Sequence, residues 1–163
     1  MAKTILGDND DNELTGGKNA ERLFGRGGGD DIDGGGGNDT IVAGDGDDFS
    51  IRGGKGADTF VYMSGDGQDQ IVDFSIKQGD RLDLSLTGFG LEDLQDRDAG
   101  GDINDADRDG YYLRETSSNG KPEIQFFFGD DEGGFDQITL VGVSIKQLLK
   151  DIDKHPDHYD FFS

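Results

Sequence analysis

From Gly7 onward the chain falls into blocks of nine residues. Gly34-Gly35-Gly36-Gly37-Asn38-Asp39-Thr40-Ile41-Val42 and Gly53-Gly54-Lys55-Gly56-Ala57-Asp58-Thr59-Phe60-Val61 both read G-G-x-G-x-D-x-U-x, with U a large apolar residue. The blocks at 25–33 and 43–51 are near matches, and those at 7–15 and 16–24 are worn ones, with Asn12 and Glu21 where the others have Asp. The apolar position survives throughout as Leu14, Leu23, Ile32 and Ile41 at a strict spacing of nine, which a merely flexible Gly/Asp-rich linker would not keep. Arg52 is a one-residue insertion, so Ile51 takes the inward place of Ser50, and Ser64 to Val72 forms a seventh, offset copy.

Each part of the block has a physical reading. Glycines at fixed places let the backbone turn tightly with φ > 0 and free carbonyls to face a common centre. The Asp adds a carboxylate to that centre, and the x-U-x after it is a minimal strand with one inward side chain. A block is then half a turn of a solenoid, with alternate blocks stacked on the same side. One side aligns Asn12, Asp30 and Asp48, and the other aligns Glu21, Asp39 and Asp58. Two carboxylates ~5 Å apart repel by about 3 kcal/mol at an effective dielectric near ~20. Several such pairs rival the ~5–15 kcal/mol that holds a domain together, so the roll is expected not to form without a counter-ion.

Composition carries the same demand. There are 36 acidic residues against 15 Lys and Arg, a net charge of −21 and only 31% hydrophobic residues. Low hydrophobicity with high net charge marks a chain that cannot fold unaided. Such a balance speaks against nucleic acid or an anionic membrane as partner, since both require a basic footprint. No apolar run is long enough to span a bilayer. There is no Cys, and the two His sit at 155 and 158, so disulfides, thiolate sites and His-based catalysis have little material. Nor does the sequence contain a nucleophile elbow, a phosphate loop or H-E-x-x-H.

The nonapeptide pattern resembles the repeats-in-toxin (RTX) family of calcium-binding proteins. The resemblance implies an all-β fold: a parallel β-roll over 1–73, continuous with a β-rich capping region and short helix over 74–163. It implies Ca²⁺ as cofactor, an ion that takes 6–8 oxygen ligands. The candidate ligands are Asp30, Asp39, Asp48 and Asp58, with Gly25, Gly27, Gly34, Gly36, Ala43, Asp45, Gly53 and Lys55 in the loops beside them. The best sites are expected between Asp30 and Asp48 and between Asp39 and Asp58. Asn12, Glu21 and Asp69 are weaker candidates.

In the remaining hundred residues, 111–114 and 123–128 read as a hairpin around Ser117-Ser118-Asn119-Gly120, and 138–143 as a further strand. Ser144 is placed to cap a helix over 145–152 with Leu148, Leu149 and Ile152 on one face. The aromatic run Phe126-Phe127-Phe128 reads as core, or else as a ligand platform. Asp105, Asp107 and Asp109 before Gly110 copy the first half of an EF-hand loop, but Thr116 stands where the bidentate Glu belongs. The loop is therefore either a solvated acidic turn or an additional Ca²⁺ site. His155 and His158 alone do not make a closed zinc site.

The segment Thr59 to Ser85 resembles the one just after the repeats in serralysin-type secreted proteins, where it covers the end of the roll. The N-terminus lacks the apolar stretch of a cleaved signal peptide. Asp160-Phe161-Phe162-Ser163 resembles the uncleaved C-terminal signal of type I secretion from Gram-negative bacteria, although RTX signals usually end in an aliphatic residue. The resemblance implies an extracellular, non-catalytic module that folds on meeting Ca²⁺. Alternatively, Arg81 to Ser85, Gly88-Phe89-Gly90 and Tyr112-Leu113-Arg114 resemble the R-modules of mannuronan epimerases. That implies an anionic polysaccharide, alginate, as partner, with Arg114 and Lys121 as contacts.

Overall fold

The block period becomes one short strand per nine residues, because a single inward apolar side chain between two glycine-rich turns supports only a few extended residues. The computed structural model describes residues 2–63, 65–87, 111–129 and 135–155. Odd and even strands separate onto two sheets of a parallel β-roll of about four turns. One sheet contains β1 (Lys3–Leu6), β3 (Glu21–Gly27), β5 (Thr40–Asp45), β7 (Thr59–Met63) and β9 (Arg81–Leu86), all parallel. The other stacks β2 (Glu13–Thr15), β4 (Asp31–Asp33), β6 (Ser50–Arg52) and β8 (Gln68–Ile71) in the same way. Stacking continues through β9, beyond the last recognisable block.

The second sheet does not stop with the roll. Strand β12 (Phe135–Val141) lies parallel beside β8, and β11 (Lys121–Gly129) and β10 (Tyr111–Ser118) come next, antiparallel. The tight β10–β11 turn places Asn119 and Gly120 at φ 52° and 76°, the left-handed pair that a two-residue hairpin favours. One inward row therefore runs unbroken across six strands, as Leu14, Ile32, Ile51, Ile71, Leu140 and Ile124. Facing it are Leu23, Ile41, Phe60 and Leu82 from the first sheet. All of these are buried, as are Phe126 and Phe128, so those two aromatics are core. Helix α1 (Ile145–Ile152) starts at Ser144 in a reciprocal capping box with Gln147 and buries Leu148 and Ile152.

The insertion at Arg52 resolves as expected: Ile51 is buried and Ser50 is not. The acidic loop at Asp105, Asp107 and Asp109, His158 and the terminal Asp160 to Ser163 lie outside the described residues, as does Gly88-Phe89-Gly90. Among the described residues no helix is long and apolar enough to cross a membrane.

Candidate metal centre

Asp30, Asp39, Asp48 and Asp58 lie just before β4, β5, β6 and β7, and Asp69 is the second residue of β8, where the chain comes out of its glycine loop and the next turn lies one strand spacing away. The backbone N–H of Asn12 donates to Oδ1 of Asp30, that of Asp30 to Asp48 and that of Asp48 to Asp69, at 2.8, 2.5 and 3.1 Å. On the opposite edge, Glu21 donates to Asp39, Asp39 to Asp58 and Asp58 to Asp80, at 2.7, 2.9 and 3.1 Å. Two rows of carboxylates thus run along the roll, each pinned by one oxygen.

The other oxygen is the telling one. Oδ2 of Asp30, Asp39, Asp48, Asp58 and Asp69 is buried and has no hydrogen-bond partner. Native structures rarely leave such atoms unsatisfied, and an unpartnered charged one is costlier still. The surroundings are oxygen-rich as well. A Cβ added to Gly25 would overlap both Asp30 Oδ2 and the Ala43 carbonyl oxygen. At Gly34 it would meet the Gly53 carbonyl oxygen at 2.7 Å and Asp39 Oδ2 at 2.8 Å. At Gly53 the nearest atom would be Asp58 Oδ2, 2.5 Å away. Glycine is required at these places because carboxylate and carbonyl oxygens converge on the space a side chain would fill.

This donor set fits a hard divalent cation such as Ca²⁺: anionic, all-oxygen and partly backbone. Among the described residues no three Asp, Glu or His side chains gather at one point. Carbonyls would therefore supply most of any coordination shell. The Ala43 and Gly53 carbonyl oxygens border the same spaces, beside Gly25 and Gly34, as the orphaned oxygens of Asp30 and Asp39. The outer candidates are partly engaged in holding turns together: Gly27 N–H donates to the Asp8 carbonyl, Gly36 N–H to Gly17, and the Lys55 carbonyl accepts from Gly37. A carbonyl keeps a second lone pair after such a bond. Asp45 pairs with Gly27 across the β3–β5 register.

Asn12 and Glu21 behave differently, and the reason is positional. They stand in the first two blocks, with no earlier block to donate to them, so each side chain turns back on its own loop. Asn12 Oδ1 accepts from Asp8 N–H at 2.8 Å, and Glu21 Oε2 accepts from Gly17 N–H at 3.0 Å. At the other end Asp80 accepts from both Asp58 and Ser75, the latter at 2.8 Å, so neither oxygen is orphaned. Asp80 was not among the sequence candidates. Its signal is the triplet Asp80-Arg81-Leu82, a D-x-U that recurs without the glycine loop.

Electrostatics along the rows is one-sided. Burial pushes Asp39 and Asp48 up to about 6, against the hydrogen bond each accepts and with help from neighbouring carboxylates. Asp69 rises to about 9, through burial first and then the charge of Asp48. Asp30 and Asp58 shift upward for the same leading reason. Burial and mutual repulsion both favour the neutral carboxyls here, so ionising them within this fold calls for a nearby positive charge.

No protein-family model and no curated protein matches the chain. Solved structures do. The AlgE6 R2 subunit of the Azotobacter vinelandii mannuronan C5-epimerase superposes with a TM-score of 0.64 at 26% identity, over 99% of this chain and 92% of its own. The R3 subunit of the same enzyme gives 0.60 at 25% identity, over 98% and 83% respectively. The β-solenoid seen here is thus an RTX-like roll whose structural neighbours are R-modules.

Proposed function

We propose that this chain is an extracellular, calcium-dependent folding module without catalytic activity of its own, and that the five orphaned Oδ2 atoms are its calcium-binding groups. Those five buried oxygens carry the reading. Asp30, Asp48 and Asp69 on one edge, and Asp39 and Asp58 on the other, hold carboxylates in register, and the neighbouring loops turn carbonyls toward them. Bound Ca²⁺ would supply the positive charge that this array lacks. Where free Ca²⁺ is scarce, as in a bacterial cytosol, the rows repel and the chain stays extended, which suits export by a type I secretion machinery. Outside, millimolar Ca²⁺ exceeds the ~10⁻⁴–10⁻³ M affinities of extracellular modules, and folding is coupled to binding. The test is far-UV circular dichroism in chelator, then titration with Ca²⁺ and separately with Mg²⁺. Cooperative β-structure with Ca²⁺ alone is expected; a chain already folded in chelator would overturn the reading.

A second reading, an accessory module for an anionic polysaccharide, rests on the outer face of the five-stranded sheet. There the register aligns Thr4, Arg22, Thr40, Thr59 and Arg81, and beside them Leu6, Phe24, Val42, Val61 and Asp83. Asp83 is the single carboxylate in those two rows, in a chain of net charge −21. The neighbours being subunits of a mannuronan epimerase points the same way. NMR titration of the calcium-loaded chain with mannuronan oligomers should shift Arg22, Thr40, Thr59 and Arg81. Saturable shifts confined to Arg114 and Lys121, or none, would remove that face from consideration.

A further inference from the structure

We infer that the two loop edges of the roll dock against each other between copies of this chain. The lysine-bearing edge of one copy sits on the aspartate-bearing edge of a second, and rolls line up side by side, pointing the same way. The inference goes beyond the proposed function, needs only the folded roll, and leaves both sheet faces open.

The edges of the roll are its stacked turns, and charge is segregated between them. The turns out of the five-stranded sheet, at 7–12, 25–30 and 43–48, expose Asp8, Asp10, Asp11, Asp45 and Asp47, with Arg26 as their one exposed base. The turns back into that sheet, at 16–20, 34–38, 53–57 and 73–80, expose Lys18, Lys55 and Lys77 and, among the described residues, no carboxylate. Acids belonging to this second edge are turned inward or tied down. Glu21, Asp39, Asp58 and Asp80 are buried. Asp33 Oδ1 accepts from Gly35 N–H at 2.9 Å, and Asp73 accepts from Gly53 and Gly54 N–H, both at 3.0 Å. A chain of net charge −21 thus keeps one edge basic.

The charges also fall at matching heights. Successive turns of an edge lie one strand spacing apart, ~4.8 Å. Gly36 N–H to Gly17 O and Gly37 N–H to Lys55 O link them on one edge, and Gly27 N–H to Asp8 O on the other. Lys18 and Lys55 stand in the first and third turns of their edge, with Gly34-Gly35-Gly36-Gly37 between them. Opposite in charge, Asp10 and Asp11 stand in the first turn of their edge and Asp45 and Asp47 in the third. Between those lies Gly27-Gly28-Gly29, following Arg26. Both sets are two strand spacings apart, ~9.6 Å. Two rolls pointing the same way therefore bring Lys18 to Asp10 and Asp11, Lys55 to Asp45 and Asp47, and one glycine turn to another, where no side chain holds the backbones apart. Each copy keeps its other edge free, so the contact is heterologous and repeats into an open row. Long-range repulsion between copies is largely screened beyond ~8 Å at physiological ionic strength, which leaves the local match to decide the contact.

The test is sedimentation equilibrium of the full chain in Ca²⁺ at about 0.15 M salt, over a concentration series. The wild-type mass should climb with concentration past that of a dimer. Lys18→Glu with Lys55→Glu spoils one edge, and Asp10→Lys with Asp47→Lys spoils the other. Each double variant alone should associate at least roughly tenfold more weakly, because like charges then meet or the attraction is lost. An equimolar mixture should associate again, since each variant supplies the edge the other lacks. All four side chains are exposed, and far-UV circular dichroism checks that the variants fold. Asp47→Lys gives up a bond from Gln68 N–H, so Asp10→Lys alone mixed with Lys18→Glu alone repeats the exchange if that double variant does not fold. A wild-type chain that stays monomeric, a mass that levels off at the dimer, association untouched by either pair of substitutions, or a mixture that stays dissociated overturns the inference.

Discussion

The backbone N–H of Asp30 donates to Oδ1 of Asp48, 2.5 Å away and one full turn further along the roll. Oδ1 fixes the register between turns, and Oδ2 is left facing the oxygen-lined seam. An amide can do the first job and not the second. With saturating Ca²⁺, Asp48→Asn should therefore destabilise the fold by about 1–3 kcal/mol or more, the cost of losing a buried partner to a charged group. In chelator the sign should reverse, because the substitution removes a repelling charge. Urea unfolding under both conditions checks it, with trimethylamine oxide bringing the metal-free transition into range.

Two glycine substitutions separate steric from conformational demand. Gly25 is not among the positive-φ glycines, yet its Cβ would overlap two oxygens. Gly65 has φ 98°, with nothing within 4 Å of an added Cβ. Gly65→Ala should cost only the left-handed backbone penalty of roughly 1–2 kcal/mol, with calcium stoichiometry unchanged. Gly25→Ala should remove a bound ion and cost more. Calcium binding by calorimetry, read beside thermal unfolding, distinguishes them.

Stability should depend on pH in opposite senses with and without the metal. Asp39, Asp48, Asp66 and Asp80 are raised to about 6, all with burial as the leading cause. Such groups bind protons more tightly in the folded chain than in the unfolded one, where they titrate near ~3.9. The metal-free fold is then most stable below that value and loses stability as pH rises through about 6, with Asp69 extending the loss toward about 9. Bound Ca²⁺ favours the ionised carboxylates, so the loaded protein should instead lose stability as pH falls from neutral to acid. Unfolding midpoints from about pH 4 to about pH 8, in Ca²⁺ and in chelator with trimethylamine oxide to force the metal-free fold, should slope in opposite directions; parallel slopes would contradict the assignment.

Tyr62 offers a test at the seam that does not touch a carboxylate. Its hydroxyl donates to Gly67 O and its ring stacks on Phe128. Tyr62→Phe should cost about 0.5–1.5 kcal/mol, and Tyr62→Ala about 3–5 kcal/mol through the cavity it opens. Both are read by chemical denaturation in Ca²⁺.

The roll was legible because its determinants are local. A nine-residue period sets which side chain of each strand turns inward, so Leu14, Leu23, Ile32 and Ile41 could be named from spacing alone, and the pairing of Asp30 with Asp48 comes from stacking alternate blocks. Ser144 and the Asn119-Gly120 turn were equally plain, since caps and tight turns depend on neighbours a few residues away. What the period could not decide is where the rows end. Asn12 and Glu21 fold back on their own loops because no earlier block donates to them, and Asp80 closes its row through Ser75. These outcomes depend on which backbone lies one strand away. The same holds for β12: its alternating pattern marks it as a strand, but its place beside β8 is a long-range pairing that extends the row of Leu14, Ile32, Ile51 and Ile71 to Leu140. Only the folded chain puts Asp69 at that junction, because its position comes from contacts between residues far apart in sequence, such as Gly65 with Asp136, 71 positions away.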